Sequence, residues 1–169
     1  MRYGNPGSGN SMRALKVSRT VVDGRFEAAN DKYTYGAHGS TRPSNAVVKK
    51  TSAPKRVLII EDNLDSVHAL ALLVADMGHT VEYAINGYVG LEVARRFRPD
   101  IVLLDIGLPG LNGYEVCGRL KKDPELKKIR VVVVTAFAQD EYRMRSIEAG
   151  CELHLVKPVP IWVLEEVLG

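Results

Sequence analysis

Residues 100–115 read D-I-V-L-L-D-I-G-L-P-G-L-N-G-Y-E. Four apolar residues, Ile101 to Leu104, form a run too short for a helix and rich in branched side chains, as expected of a strand buried on both faces. The run ends on a charge, Asp105. Pro109, Gly110 and Gly113 then shape a loop, and a helix is predicted over Gly113–Lys122.

The same grammar repeats to either side. Val57–Ile60 is a second short apolar run, ending on Glu61-Asp62. The helix after it carries its apolar stripe on Leu64, Val67, Ala71, Val74 and Met77, with Asn63 or Asp65 as cap and Gly78 as stop. A strand at Thr80–Ala84 and a helix at Tyr88–Phe97 lie before the central stretch. Beyond it come a strand at Val131–Val134, a helix at Asp140–Ala149 closed by Gly150, a strand at Glu152–Val156 and a last helix at Pro160–Leu168. Apolar strands separated by helical crossovers predict a doubly wound α/β fold, (βα)5, with a five-stranded parallel sheet covered on both faces.

Composition divides the 169-residue chain unequally. Residues 1–56 hold eleven Lys and Arg against three Asp and Glu, and residues 57–169 hold twelve against seventeen. The first part is punctuated by Gly and Pro and shows no periodicity. Its apolar islands, such as Val21-Val22 and Val47-Val48, are too small to offset an ordering cost of roughly 1–2 kcal/mol per residue. Residues 1–54 therefore read as a basic, mostly disordered extension, and residues 55–169 as the folded domain. No apolar run approaches the roughly 20 residues of a membrane-spanning helix, and no secretory signal is visible. The two cysteines, Cys117 and Cys151, stand in no metal-ligand spacing and read as packing residues suited to a reducing compartment. A cytoplasmic protein is expected.

In an open α/β sheet the chemistry sits beyond the carboxyl ends of the strands. The residues there are Glu61 and Asp62, Asp105, Thr135 and Ala136, and Lys157 and Pro158. Two carboxylates about 4 Å apart repel by about 4 kcal/mol at an effective dielectric near 20, so three of them require a cation or a proton. An all-oxygen set favours a hard divalent ion such as Mg2+. A metal, a lysine and a hydroxyl together suit a transferring phosphoryl group, with one carboxylate as nucleophile. The plainer reading makes Glu61 and Asp62 helix caps and Lys157 their ion-pair partner, which leaves Asp105 unexplained.

Residues 56–168 resemble the response-regulator receiver domain, the CheY-like form of the flavodoxin-like fold. The matching segments are R-V-L-I-I-E-D-N at 56–63, the central segment at 100–115, V-V-V-V-T-A at 131–136 and L-V-K-P-V at 155–159. Asp105 precedes Thr135 by 30 residues and Lys157 by 52, intervals that agree with the family. The resemblance implies strand order 2-1-3-4-5 and a phosphorelay response regulator of two-component signalling. Asp105 would accept a phosphoryl group from a histidine kinase or a histidine phosphotransfer protein. Glu61, Asp62, Asp105 and the backbone carbonyl of Gly107 would hold Mg2+. Thr135, Ala136 and Lys157 would bind the phosphoryl oxygens, and Lys157-Pro158 would be a cis peptide.

One position departs from the family. The switch aromatic three residues before the lysine is His154, which reads either as a rotating switch coupled to Thr135 or as a surface histidine. Gly107 and Phe137 occupy positions that tune dephosphorylation in the family. The resemblance further implies output through the face of the fourth helix, fifth strand and fifth helix, and a weak phosphorylation-dependent dimer. No DNA-binding or catalytic output segment is expected after Gly169. Trp162 would lie near the surface beside that face, as a partner contact or a packing residue, with Ile161, Leu164 and Val167/Leu168 turned to the sheet. His38, His68 and His79 share no metal spacing and read as solvent-facing or tail residues.

Other classes fit less well. An aspartyl phosphatase of the haloacid-dehalogenase type wants a second acid where Gly107 stands and a cap domain for which there is no room. A dinucleotide-binding fold is disfavoured because no G-x-G-x-x-G follows the first strand. The remaining alternative is a degenerate receiver that binds partners without phosphorylation. A turnover enzyme is not expected.

Overall fold

The structure, a computed structural model, describes residues 53–169, and before them two backbone strands at 19–22 and 25–27. The elements in chain order are β1 (Arg19–Val22), β2 (Arg25–Glu27), β3 (Arg56–Ile60), α1 (Leu64–Asp76), β4 (Thr80–Ala84) and α2 (Gly87–Phe97). They continue with β5 (Ile101–Leu104), α3 (Gly113–Lys122), β6 (Arg130–Thr135), α4 (Asp140–Ala149), β7 (Leu153–Val156) and α5 (Ile161–Leu168).

The sheet runs β2-β1-β7-β6-β5-β3-β4. Its five strands from β3 to β7 are parallel and stand in the expected order 2-1-3-4-5. Their register aligns Ala84, Ile60, Leu104, Val133 and His154 in one row across the sheet. The residues that follow this row therefore emerge at a common rim.

Alternation along the strands divides the core in two. Leu58, Ile60, Val102, Leu104, Val131 and Val133 face α2 and α3, where Leu91, Ala94, Val116 and Leu120 meet them. Val57, Ile59, Ile101, Leu103, Val132 and Leu155 face α1 and α5, against Val67, Val74, Val163 and Val167. Burying each such side chain contributes roughly 1.5–3 kcal/mol, so the sheet is held rigidly from both sides. The exception is α4, whose one buried residue is Ser146.

Three details differ from the sequence reading. Leu64 and Ile161, assigned to inward stripes, are 50% and 53% exposed, because each opens its helix beyond the rim that its neighbours cover. The inward face of α5 is Val163, Leu164, Val167 and Leu168, while Trp162 is half-buried and packs against the α1/α5 layer. The fifth parallel strand is also not the sheet's edge. β1 pairs parallel to it, with Thr20 opposite His154, and β2 pairs antiparallel to β1. The sequence reading placed no strand before residue 55. An added edge strand needs main-chain partners rather than a core of its own, which is why hydrophobic periodicity did not announce it. The rest of residues 1–52, His38 included, lies outside the described residues.

Candidate functional site

Backbone pairing extends one residue past two strand ends and sets the site. The Glu61 N–H donates to the Ala84 carbonyl at 3.0 Å, and the Asp105 N–H donates to the Ile60 carbonyl at 2.9 Å. Glu61 and Asp105 are thereby fixed side by side, both buried, with exposed Asp62 on the turn into α1. The N-cap of α1 is Asn63, whose Oδ1 accepts the Ser66 N–H at 2.9 Å. The capping half of the plainer reading therefore falls to Asn63, while its other half, an ion pair between Lys157 and Glu61, is present.

One carboxylate oxygen from each of Glu61, Asp62 and Asp105 lies within 4.8 Å of the other two. At that separation each pair repels by about 3 kcal/mol at an effective dielectric near 20. The Lys157 ammonium bonds to Glu61 Oε2 and lies 3.6 Å from Asp105 Oδ1. Among the described residues no other cation is ion-paired to the cluster. Three negative charges against one positive leave an excess of two, on oxygen donors alone. This donor set fits a hard divalent cation such as Mg2+.

Two glycines shape the Asp105 side of the site. The Gly107 N–H donates to Asp105 Oδ2 at 2.7 Å, and a Cβ at residue 107 would stand 3.0 Å from that oxygen. Gly113 opens α3 against the Asp105 backbone, where a Cβ would come within 2.3 Å of the Asp105 carbonyl oxygen. α3 is locked in this seat by a capping box between Asn112 and Glu115.

Thr135 ends β6 fully buried. Its carbonyl accepts the Lys157 N–H at 2.8 Å, and its Oγ1 accepts the Phe137 N–H at 3.5 Å. Ala136 is exposed at the start of the loop into α4. The Lys157–Pro158 peptide is cis.

His154 is 1% exposed, so the surface reading of this residue is corrected. It points inward from the middle of β7. Its Nε2 lies 2.9 Å from the Phe137 carbonyl oxygen, which can only accept, so Nε2 carries the proton. Nδ1 lies 2.8 Å from the Ser146 hydroxyl of α4, whose single proton is shared between this nitrogen and the Tyr142 carbonyl at 2.9 Å. Burial, helped by the nearby Arg143 charge, holds the imidazole below its ordinary pKa, although the Phe137 carbonyl opposes this. Ser146 was not singled out from the sequence, since a serine on a helix face carries no signal of its own. His79, read as solvent-facing, is half-buried and accepts the Lys55 N–H through Nδ1 at 3.3 Å, whereas His68 is exposed as expected.

Fold and rim together define an aspartate-centred α/β receiver. Residues 57–168 match the model of the family described as "Response regulator receiver domain". The chain is 42% identical over 110 residues to the polar-differentiation response regulator DivK of Brucella anthropi, covering 64% of this chain and 88% of that protein. It is 38% identical over 104 residues to protein PilH of Pseudomonas aeruginosa, covering 62% of this chain and 86% of that protein. Among solved structures it resembles the receiver domain of a Pseudomonas aeruginosa sensor histidine kinase, described with a magnesium ion coordinated in its active-site cleft. That similarity has a TM-score of 0.64 at 26% identity and covers 69% of this chain and 95% of the other. The chain belongs to the response-regulator receiver-domain family, and its role lies in two-component signalling. Among the described residues no helix is long and apolar enough to cross a membrane.

Proposed function

We propose that Asp105 is the phosphoacceptor of this receiver and takes its phosphoryl group from a phosphohistidine on a kinase or phosphotransfer domain. An Asp105 carboxylate oxygen forms the new bond to phosphorus while the bond to the donor's imidazole nitrogen breaks, leaving an acyl phosphate. The observation that carries this reading is the rim's unbalanced charge, three clustered carboxylates against Lys157. Glu61, Asp62, Asp105 and the Gly107 carbonyl would hold Mg2+, which when bound supplies positive charge opposite the phosphoryl oxygens. Lys157 exchanges part of its contact with Glu61 and Asp105 for a phosphoryl oxygen. The Thr135 hydroxyl, which accepts from Phe137 and keeps its own proton free to donate, bonds another, and the exposed Ala136 lies where its backbone N–H can serve a third.

Movement of Thr135 draws on the loop that carries the Phe137 carbonyl. That carbonyl is tied to His154, and His154 to Ser146 of α4. His154 thus serves as the switch residue, through hydrogen bonds where the family uses an aromatic ring. The output is the face of α4, β7 and α5, where a downstream protein or a second phosphorylated copy in a weak dimer binds by displacing β1 from the edge of β7 or by packing beside it. Residues 1–54 are a basic extension to the receiver at 55–169, and the chain acts in the cytoplasm as a switch rather than a turnover enzyme. The presence of Glu61, Asp62, Asp105, Thr135 and Lys157 together disfavours a phosphorylation-independent receiver.

The test is incubation of the chain with acetyl phosphate and Mg2+, followed by intact-mass measurement. The expected result is one added phosphoryl group, absent when Mg2+ is chelated and absent in Asp105→Asn. Equal labelling of that variant and the parent would place the acceptor elsewhere.

A further inference from the structure

The two cysteines of the chain take no part in the acidic cluster and meet each other. Cys117 is on α3 and Cys151 is two residues past the end of α4, 0% and 3% exposed respectively. Their sulfurs are 3.0 Å apart, with the Cys151 thiol donating to Cys117 Sγ and the Cys117 thiol donating to the Ala149 carbonyl at 3.3 Å. We propose that Cys117 and Cys151 are a redox-modification site, oxidised by a small peroxide to a disulfide that ties α3 to the junction of α4 and β7.

A disulfide requires sulfurs about 2.05 Å apart, so closure asks for a shift of about 1 Å. The backbone beside Cys151 can supply it. Gly150 holds φ at +91°, a conformation open to glycine at no steric cost, and α4 is the helix least anchored to the core. Local opening at this lightly packed end also admits a small oxidant to sulfurs that are otherwise covered.

The two sulfurs are chemically unequal. The Cys151 hydrogen bond and the charge of Lys121 bring the Cys117 thiol below its ordinary pKa despite burial. Cys151 is pushed up, because its proton is held in that hydrogen bond and because it is buried. Lys121 stands one turn after Cys117, and its Nζ donates to the Ile129 carbonyl at 2.6 Å while its chain lies over Gly150. Cys117 is therefore the attacking sulfur. Its thiolate takes one peroxide oxygen as the O–O bond breaks, giving a sulfenic acid and, after protonation, water. Cys151 then loses its proton and attacks the Cys117 sulfur, the S–O bond breaks, and a second water leaves. Two electrons pass from the dithiol to the peroxide, and a small thiol returns the pair to its reduced form. None of this depends on Asp105.

The experiment uses the full chain treated with hydrogen peroxide, unfolded in N-ethylmaleimide and weighed intact. The expected product has lost about 2 Da, carries no maleimide and regains two reactive thiols with dithiothreitol. Proteolytic mapping without reductant links the peptides of residues 117 and 151. In Cys151→Ser the sulfenic acid on Cys117 persists and is captured by dimedone. Two fully alkylated cysteines after peroxide, a disulfide between two chains, or sulfonic acid with no linked peptide would each overturn the proposal. The wild-type mass alone decides between these results, so a failure of the variant to fold does not.

Discussion

The two rims of the sheet treat their acidic groups in opposite ways. At the N-terminal rim Asp100, Glu125 and Glu152 each meet a donor. Arg130 bonds to both oxygens of Glu152 and to the Val167 carbonyl, Arg98 pairs with Glu125, and Asp100 accepts the Arg56 N–H at 2.8 Å. At the C-terminal rim Glu61, Asp62 and Asp105 crowd together around Lys157. Elements of the same strands end in both places, so the fold itself does not require the imbalance. Charges balanced in place hold structure together, whereas charges left in excess are set for something that arrives from outside.

That contrast predicts substitutions of opposite sign. Arg130→Ala removes a guanidinium that joins the starts of β6 and β7 to α5. A loss of about 1–2 kcal/mol in denaturant unfolding is expected, with labelling by acetyl phosphate unchanged. Asp62→Asn removes one of three repelling carboxylates. It is expected to raise stability by about 1 kcal/mol in Mg2+-free buffer, the scale of a partly solvated pair. Equal destabilisation by both variants would erase the distinction between the rims.

The smallest effect concerns His154, on the same row of the sheet as the residues before the acidic rim. Its pKa is lowered on folding, so the unfolded chain binds the proton more readily than the folded one. The stability it contributes is complete above the unfolded value near 6.5 and is lost as pH falls below it toward the folded value. Melting curves between pH 7.5 and 5.5 should show this decline, and His154→Phe should flatten it. An unchanged slope in that variant would assign the decline to other groups.

The parallel sheet was legible in the sequence because its apolar runs stand alone between helical periods, and four of its five strands lead into a charged or hydroxyl side chain. The five strands and five helices of residues 56–168 agree with the reading to within a residue or so at each end. Glu61, Asp62 and Asp105 were legible for the same reason, since strand register alone brings the ends of β3 and β5 together. Ser146 and the burial of His154 were not legible, because a side chain's partners across α4 and β7 depend on how the helix sits. Ile161 was misplaced because periodicity fixes a helix face but not where the underlying sheet stops. The β1–β2 pair escaped because an edge strand is recruited by main-chain hydrogen bonds, which leave little trace in composition.

The central claim is that the acidic rim carries two negative charges too many until a hard divalent ion joins it. Thermal unfolding of the parent chain and of Asp62→Asn, each with and without millimolar Mg2+, tests this most directly. A ligand that binds the folded state alone at about 100 times its dissociation constant stabilises by about 2.7 kcal/mol. The account predicts a clear Mg2+-dependent rise in the parent's midpoint and little or none in the variant. A parent chain whose midpoint ignores Mg2+, or a variant that responds equally, would contradict it.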